Sequence, residues 1–248
     1  MACLFALLGL IIGGLVNRLG TDLPMHRGVT LPHCPYCGQD RPWWQWISLP
    51  SYVIGRTRCP YCGAPIRLRY PLVELGLAVT YGYLWTLLGV SVRLPLYLVY
   101  TAVFAIVLVT DFERRLILNR VMYPAILFAV AAGFITPDMT WWSALAGGGI
   151  AFVFFLVVGI VGNAVFGSGA LGGGDVKLAL FVGLVTGFPL VIEAMVLTIL
   201  IGAAISGFLL LTRLRKLRDH VPYGPFLVAG GFITLLWGYA IANWYLGR

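Results

Sequence analysis

Two carboxylates and four thiols carry most of the chemistry open to this 248-residue sequence. Asp111 lies in Val109-Thr110-Asp111-Phe112-Glu113-Arg114-Arg115, and Asp175 in Gly172-Gly173-Gly174-Asp175-Val176-Lys177-Leu178. The chain has only nine acidic residues, and these two sit at the ends of long apolar runs. An ionised carboxylate beside hydrocarbon is costly, so such a residue is a functional candidate by default. Two carboxylates sharing one site do not ionise together; one keeps a proton while the other is charged. That pair suits activation of a water and protonation of an amide leaving group. Gly172 and Gly174 would let backbone, including a substrate strand, come close to Asp175. Lys177, two residues on, is placed to tune the pair or to contact substrate. Taken singly, either aspartate also fits a helix cap or an ion pair with a nearby arginine, and Asp175 suits the start of a helix. They are 64 residues apart in sequence, which leaves open whether they meet.

The thiols are Cys34, Cys37, Cys59 and Cys62, two Cys-x-x-Cys pairs separated by 21 residues. Both pairs continue alike, as Cys34-Pro35-Tyr36-Cys37-Gly38 and Cys59-Pro60-Tyr61-Cys62-Gly63. Two such knuckles present four thiolates tetrahedrally to zinc, with a glycine for the tight turn after each pair. A site closed by four thiolates is structural, and it would fold a segment too small to build its own core. A dithiol redox pair is the rival reading. His33 and His26 lie close enough in sequence to replace a ligand, although surface histidines are the simpler reading. Cys3, inside the first apolar run, reads as packing. Trp43, Trp44 and Trp46 between the knuckles read as an interfacial belt or as a platform for a ligand.

The elements that must position these groups are membrane helices. Hydrophobic residues make up 60% of the chain and charged residues 10%. Ordinary soluble domains are about 45–50% apolar and about 25% charged, which excludes a soluble globule and a disordered chain. Apolar runs fall at about 2–16, 72–92, 94–110, 120–136, 141–166, 176–188, 189–211 and 225–246. They are apolar on all sides, unlike the alternation of a membrane barrel. An all-α polytopic membrane protein of about eight spans follows, with a small cytoplasmic zinc-binding insertion. Residues 1–16 form the first span, 17–71 the four-cysteine domain and 72–248 a seven-helix part that carries both aspartates. With eight spans, fifteen of the 17 basic residues fall on one side and only Arg93 and Arg248 on the other. The positive-inside rule makes the basic side cytoplasmic and places both termini outside. The net charge of +8 is thus a topology signal and gives no reason to expect nucleic acid. The first run has no basic segment before it and reads as a retained helix, not a cleaved signal.

The other acids read as support. Glu113 has Arg114 and Arg115 beside it. Glu74, near the start of the second span, suits a helix dipole or the cysteine unit. Glu193, Asp138, Asp22, Asp40 and Asp219 read as interfacial or loop residues.

In order along the chain, several features resemble the type IV prepilin peptidase family of membrane leader peptidases and N-methyltransferases. They are the paired knuckles and Arg69-Tyr70-Pro71-Leu72-Val73-Glu74. Next come Asp111 with Arg115 and Asn119, then Gly172-x-Gly174-Asp175-x-Lys177-Leu178. Last is Pro222-Tyr223-Gly224-Pro225-Phe226. Here Gly13-Gly14-Leu15-Val16-Asn17-Arg18-Leu19 is shorter than the family's usual stretch, and the tract between the knuckles is richer in tryptophan. The resemblance implies that Asp111 and Asp175 are the catalytic aspartates of a bacterial inner-membrane protease. It implies cytoplasmic cleavage of prepilins or pseudopilins after the glycine that ends a short basic leader. It further implies methylation of the new N-terminus from S-adenosylmethionine, with the zinc-type domain tied to that half. No dinucleotide-type glycine fingerprint locates the methyl donor, so it is assigned no residues. Which aspartate acts as base, which pilins are cut and the oligomeric state stay open. Two rival readings are a presenilin-like intramembrane protease with the same Gly-x-Gly-Asp signature and an ion-coupled transporter.

Overall fold

In lipid, a backbone can satisfy its own polar groups only inside a helix or a closed barrel. Apolar runs without alternation leave the helix, and the computed structural model bears this out. It describes residues 1–25, 33–34, 36–40, 43–137, 139–166, 172–212, 222–245 and 247. Among them there is no strand, only the isolated bridges His33–Asp40 and Arg58–Pro65. The helices are α1 (Ala2–Asp22), α2 (Leu49–Val53), α3 (Arg69–Leu88), α4 (Arg93–Arg114) and α5 (Asn119–Ala132). They continue with α6 (Trp141–Phe166), α7 (Gly173–Thr186), α8 (Leu190–Leu211) and α9 (Gly224–Tyr245). α1, α3, α4, α6, α8 and α9 are each long and apolar enough to cross a membrane. α5 and α7 have 14 residues each. At 1.5 Å per residue such a helix rises about 21 Å, short of the roughly 30 Å of hydrocarbon in a bilayer. Eight apolar helices therefore stand where the sequence places eight spans, two of them short.

The chain divides into two compact units, Met1–Val109 and Thr110–Arg248. In the first, α1 and α3 pack at backbone distance. A Cβ on Gly9 would lie 2.5 Å from the Leu77 carbonyl oxygen, and one on Gly13 would lie 2.6 Å from Glu74 Cα. Phe5 stacks on Trp85 at 4.6 Å, and Tyr81 donates a hydrogen bond to the Leu98 carbonyl at 2.7 Å. α1 runs on to Asp22, past the end of its apolar run near residue 16. Its extra turn is polar yet buried, and tertiary partners meet part of its hydrogen-bonding need. Asn17 donates to the Tyr70 carbonyl at 2.9 Å, and Arg69 donates to Thr21 at 2.8 Å. Asp22 lies 3.8 Å from His33.

In the second unit, α7 is the central helix, packed against α5, α6, α8 and α9. Leu178, Phe181, Val182 and Leu184 on it are buried. Gly147 of α6 and Gly183 of α7 face each other so closely that a Cβ on Gly147 would lie 2.5 Å from the Gly183 carbonyl oxygen. Small residues at a crossing let membrane helices gain dispersion contact along their length. α8 and α9 pair similarly, with Gly230 against Ala194 and Thr198, and Gly202 against the Phe226 ring.

Candidate active site

Asp111 and Asp175 lie in the same unit and come from helix ends. Asp111 occupies the last turn of α4 and is 5% exposed. The helix closes just beyond it: Arg115 takes a positive φ of 54° and donates its N–H to the Asp111 carbonyl at 2.9 Å. Asp111 Oδ2 is buried and has no hydrogen-bond partner among the described residues. It faces the first residue of α9, where a Cβ on Gly224 would lie 2.5 Å from it. Only a glycine lets that backbone come so close to the carboxylate.

Asp175 sits in the first turn of α7, where a carboxylate favours the free N–H groups and the positive end of the helix dipole. Its Oδ2 accepts the Gly172 N–H at 3.1 Å, and its own N–H donates to the Gly172 carbonyl at 3.0 Å. Asp175 is half-buried and Gly172 exposed. The two carboxylates are near enough that charge on one opposes charge on the other. The three glycines before Asp175 have unlike surroundings. A Cβ on Gly174 would lie 2.8 Å from Ile117 Cβ, on the segment between α4 and α5. One on Gly172 would lie 3.3 Å from Asp175 Oδ2, and one on Gly173 would meet nothing within 4 Å.

Lys177 points to α5. Its Nζ donates to Asn119 Oδ1 at 2.7 Å and to Tyr123 Oη at 3.2 Å, and lies 4.9 Å from the Tyr123 ring centre. It ties the first turns of α5 and α7 together. Burial, and after it the charge of Asp175, push the phenol of Tyr223, just before α9, up from its ordinary value. Its ring lies 5.8 Å from that of Phe155 in α6 and 5.9 Å from that of Phe226. Gly224 and Tyr223 belong to a stretch that stands out in the sequence, but no spacing rule brings it to Asp111.

In the first unit, the four sulfurs of Cys34, Cys37, Cys59 and Cys62 all lie within 4.8 Å of one another. The Cys34–Cys62 and Cys37–Cys59 separations are 3.7 and 3.9 Å. Four thiolates at the usual 2.3 Å from zinc stand about 3.8 Å apart in a tetrahedron, so the cluster fits that ion. The two knuckles share one geometry. Gly38 (φ 71°) and Gly63 (φ 69°) adopt the left-handed conformation that glycine reaches without strain. From there they donate to the carbonyls of Cys34 (2.8 Å) and Cys59 (2.9 Å). Cys34 and Cys59 are buried, Cys37 and Cys62 exposed. Burial opposes charge on Cys34, yet the N–H groups of Cys37 and Tyr36 bring its thiol down to about 6. The N–H groups of Cys62 and Tyr61 likewise lower Cys59. For both buried sulfurs the shift favours the thiolate, the form that binds metal.

Glu74 joins this centre to the helices. It is 1% exposed and accepts the Ser48 N–H (2.9 Å), the Ser48 hydroxyl (2.9 Å) and the Leu49 N–H (2.8 Å) at the start of α2. Asn17 of α1 donates to it at 3.4 Å. With Asn17, Arg18, His33, Trp46 and Tyr70 it lines a cleft between α1, α3 and the cysteine segment. Trp46 packs on Gly14, and Cys3 is exposed on α1. Glu113 and Asp40 are exposed, Asp22 is buried and Glu193 is half-buried. His26, Asp138 and Asp219 lie outside the described residues, as do Arg213, Arg215, Lys216 and Arg218.

Residues 7–88 match the family model of the bacterial peptidase A24 N-terminal domain, and residues 98–207 that of the type IV leader peptidase family. A Bacillus subtilis protein named prepilin leader peptidase/N-methyltransferase is 29% identical, over 99% of this chain and 98% of its own length. Proteins of the same name show comparable likeness. The one from Pseudomonas aeruginosa is 28% identical, over 97% of this chain and 91% of its own. The one from Aeromonas hydrophila is 30% identical, over 86% and 73%. No solved structure matches the chain. Two helix-end aspartates, a four-thiol centre and relatives matched across most of their length agree on one assignment: the chain belongs to the type IV leader peptidase family.

Proposed function

We propose that this protein is an aspartic endopeptidase of the bacterial inner membrane. It removes the leader of prepilins and pilin-like proteins on the cytoplasmic side, after a glycine. Asp111 and Asp175 are its catalytic pair. As carboxylate, one takes a proton from a water, which adds to the scissile carbonyl carbon. The other, protonated, polarises the scissile carbonyl, and the proton taken from the water passes to the amide nitrogen as the C–N bond breaks. What supports this reading is that the two scarce acids stand at helix ends of one compact unit, Asp111 in the last turn of α4 and Asp175 in the first turn of α7. Gly172 keeps side-chain bulk away from Asp175, Gly174 lets α7 come close to Ile117, and Lys177 supports the site by holding α7 to α5.

The same protein then methylates the new N-terminus with S-adenosylmethionine as co-substrate. Support for this lies in the names of the matched relatives. Cys34, Cys37, Cys59 and Cys62 would hold zinc, which when bound supplies a cross-link with no coordination position open for substrate. The working division is a first span at 1–16, a cytoplasmic zinc-binding domain at 17–71 and a seven-helix peptidase part at 72–248, with both termini outside.

The test is mass spectrometry of the N-terminus of a prepilin co-expressed with the protein. It reads cleavage, its position and any added methyl group together. Asp111→Asn and Asp175→Asn should each leave the leader in place. Near-normal processing by both single variants would overturn the assignment of the pair.

A further inference from the structure

Position along a membrane helix measures depth, because each residue of a helix rises about 1.5 Å. Trp46 sits against α1 inside its apolar run. Its backbone oxygen would lie 2.8 Å from a Cβ on Gly14, and its indole N–H donates to the Ile11 carbonyl at 3.4 Å. The run ends near Val16, so Ile11 lies roughly 7–8 Å inside it. Ser48 and Leu49 donate to Glu74, just inside the apolar run of α3. Residues 46–49 therefore do not stand clear of the bilayer. They lie beside two spans at the level where hydrocarbon gives way to headgroups.

The residues that follow suit that level. Tyr52 donates its hydroxyl to the Ile66 carbonyl, and the Ile66 N–H donates to the Thr57 carbonyl at 2.7 Å. The chain after α2 is thus tied to the chain just before α3. At the end of α2, Val53 is 82% exposed and Ile54 68%. Leu68 and Leu72, where α3 begins, are exposed as well. A domain in water gains nothing by showing these side chains, whereas the acyl boundary accepts them. After the turn at Gly55 (φ 77°), Arg56 and Arg58 are exposed. They line one open cavity of about 440 Å³ with Gln45, Thr57 and Ile66, and no acid is among the described residues that line it. Guanidinium groups so placed match phosphate. We infer that residues 46–58 are a lipid-docking element. Val53 and Ile54 enter the acyl boundary of the leaflet beside the cysteine domain, and Arg56 and Arg58 hold the phosphates of anionic phospholipid. The four-cysteine domain rests on the membrane and does not hang free in water from its two helices.

The test uses the full-length protein in vesicles of phosphatidylcholine and phosphatidylglycerol, with a small fluorescent amino acid in place of Val53. A doxyl group near the top of the lipid acyl chain should quench it, and iodide in the water should not. Iodide quenching in place of lipid quenching would overturn the inference. Doxyl-labelled phosphatidylglycerol should associate more tightly than doxyl-labelled phosphatidylcholine. Arg56→Gln with Arg58→Gln should reduce that preference by roughly fivefold per arginine, the scale of one basic residue at an anionic surface. Both arginines are exposed, so the zinc content and unfolding midpoint of the double variant should match those of the parent. No preference in the parent, or one that survives the double substitution, would also overturn the inference. Protection from iodide that appears only when a purified prepilin is added, without quenching by lipid, would give this face to the substrate and overturn it too. These readings need no cleavage, so they succeed or fail apart from the peptidase assignment.

Discussion

Gly224→Ala is the sharpest probe of how Asp111 is held. The added Cβ would stand 2.5 Å from Asp111 Oδ2 and 3.1 Å from its Cγ, where ordinary contact begins at 3.4 Å. Restoring that distance requires the carboxylate or the start of α9 to retreat by about 1 Å. Neither moves freely. Asp111 is buried in the last turn of α4, and Gly224 is followed by the buried Pro225, Phe226 and Leu227. Overpacking of this kind costs about 1–3 kcal/mol of stability. A misplacement near 1 Å in a reacting group costs about 10²-fold in rate. The expected result is therefore a protein that still folds, with a lowered midpoint in thermal unfolding and kcat/KM for prepilin cleavage down about 10²-fold. The matched control is Gly173→Ala, whose Cβ meets nothing within 4 Å. That change should leave cleavage intact and, as a glycine replaced within a helix, stabilise slightly. Gly224→Ala turning over within about twofold of wild type would refute the idea that close approach of α9 sets the position of Asp111.

Three further expectations follow from other parts of the molecule. Gly183→Ala drives a Cβ into the Gly147 carbonyl group and should separate α6 from α7, lowering the unfolding midpoint by the equivalent of about 1–3 kcal/mol. Glu74→Gln replaces an acceptor of three hydrogen bonds from Ser48 and Leu49 with a side chain that has one acceptor oxygen. It should cost about 1–3 kcal/mol and appear as faster amide exchange in residues 43–53, with prepilin cleavage less affected. Metal analysis of the purified protein should find one zinc per chain. Cys34→Ser or a strong chelator should remove it and expose the cysteine segment to protease, and wild type without zinc would refute that assignment.

The metal centre was the most legible part of the sequence, because a two-residue spacing fixes where both sulfurs of a knuckle must lie. Gly38 and Gly63 signalled the turn for the same local reason. The scarcity of acids singled out Asp111 and Asp175, and the apolar runs located eight helices. What the sequence did not show is non-local. No pattern within residues 222–226 says that Gly224 will touch Asp111, or that Tyr223 will rest on Phe155. The polar turn from Asn17 to Asp22 ends the apolar run, yet it stays helical and buried against Tyr70, Arg69 and His33, which non-local contacts provide. Lys177 was placed beside Asp175 by its number, but i and i+2 point to different faces of a helix, and its partners lie on α5.

The shortness of α7 bears on how a hydrolase in lipid obtains its water. From the Gly147–Gly183 crossing, α7 reaches back only to Gly173, while α6 continues to Phe166. At 1.5 Å per residue, α6 outruns the start of α7 by roughly 13 Å. Val157, Val158, Ile160 and Val161 in that half of α6 are exposed apolar side chains. Each cut consumes one water molecule, and hydrocarbon stores none. α7 is too short to cross the full hydrocarbon layer, so a carboxylate in its first turn has less apolar depth between it and water than one at the middle of a span.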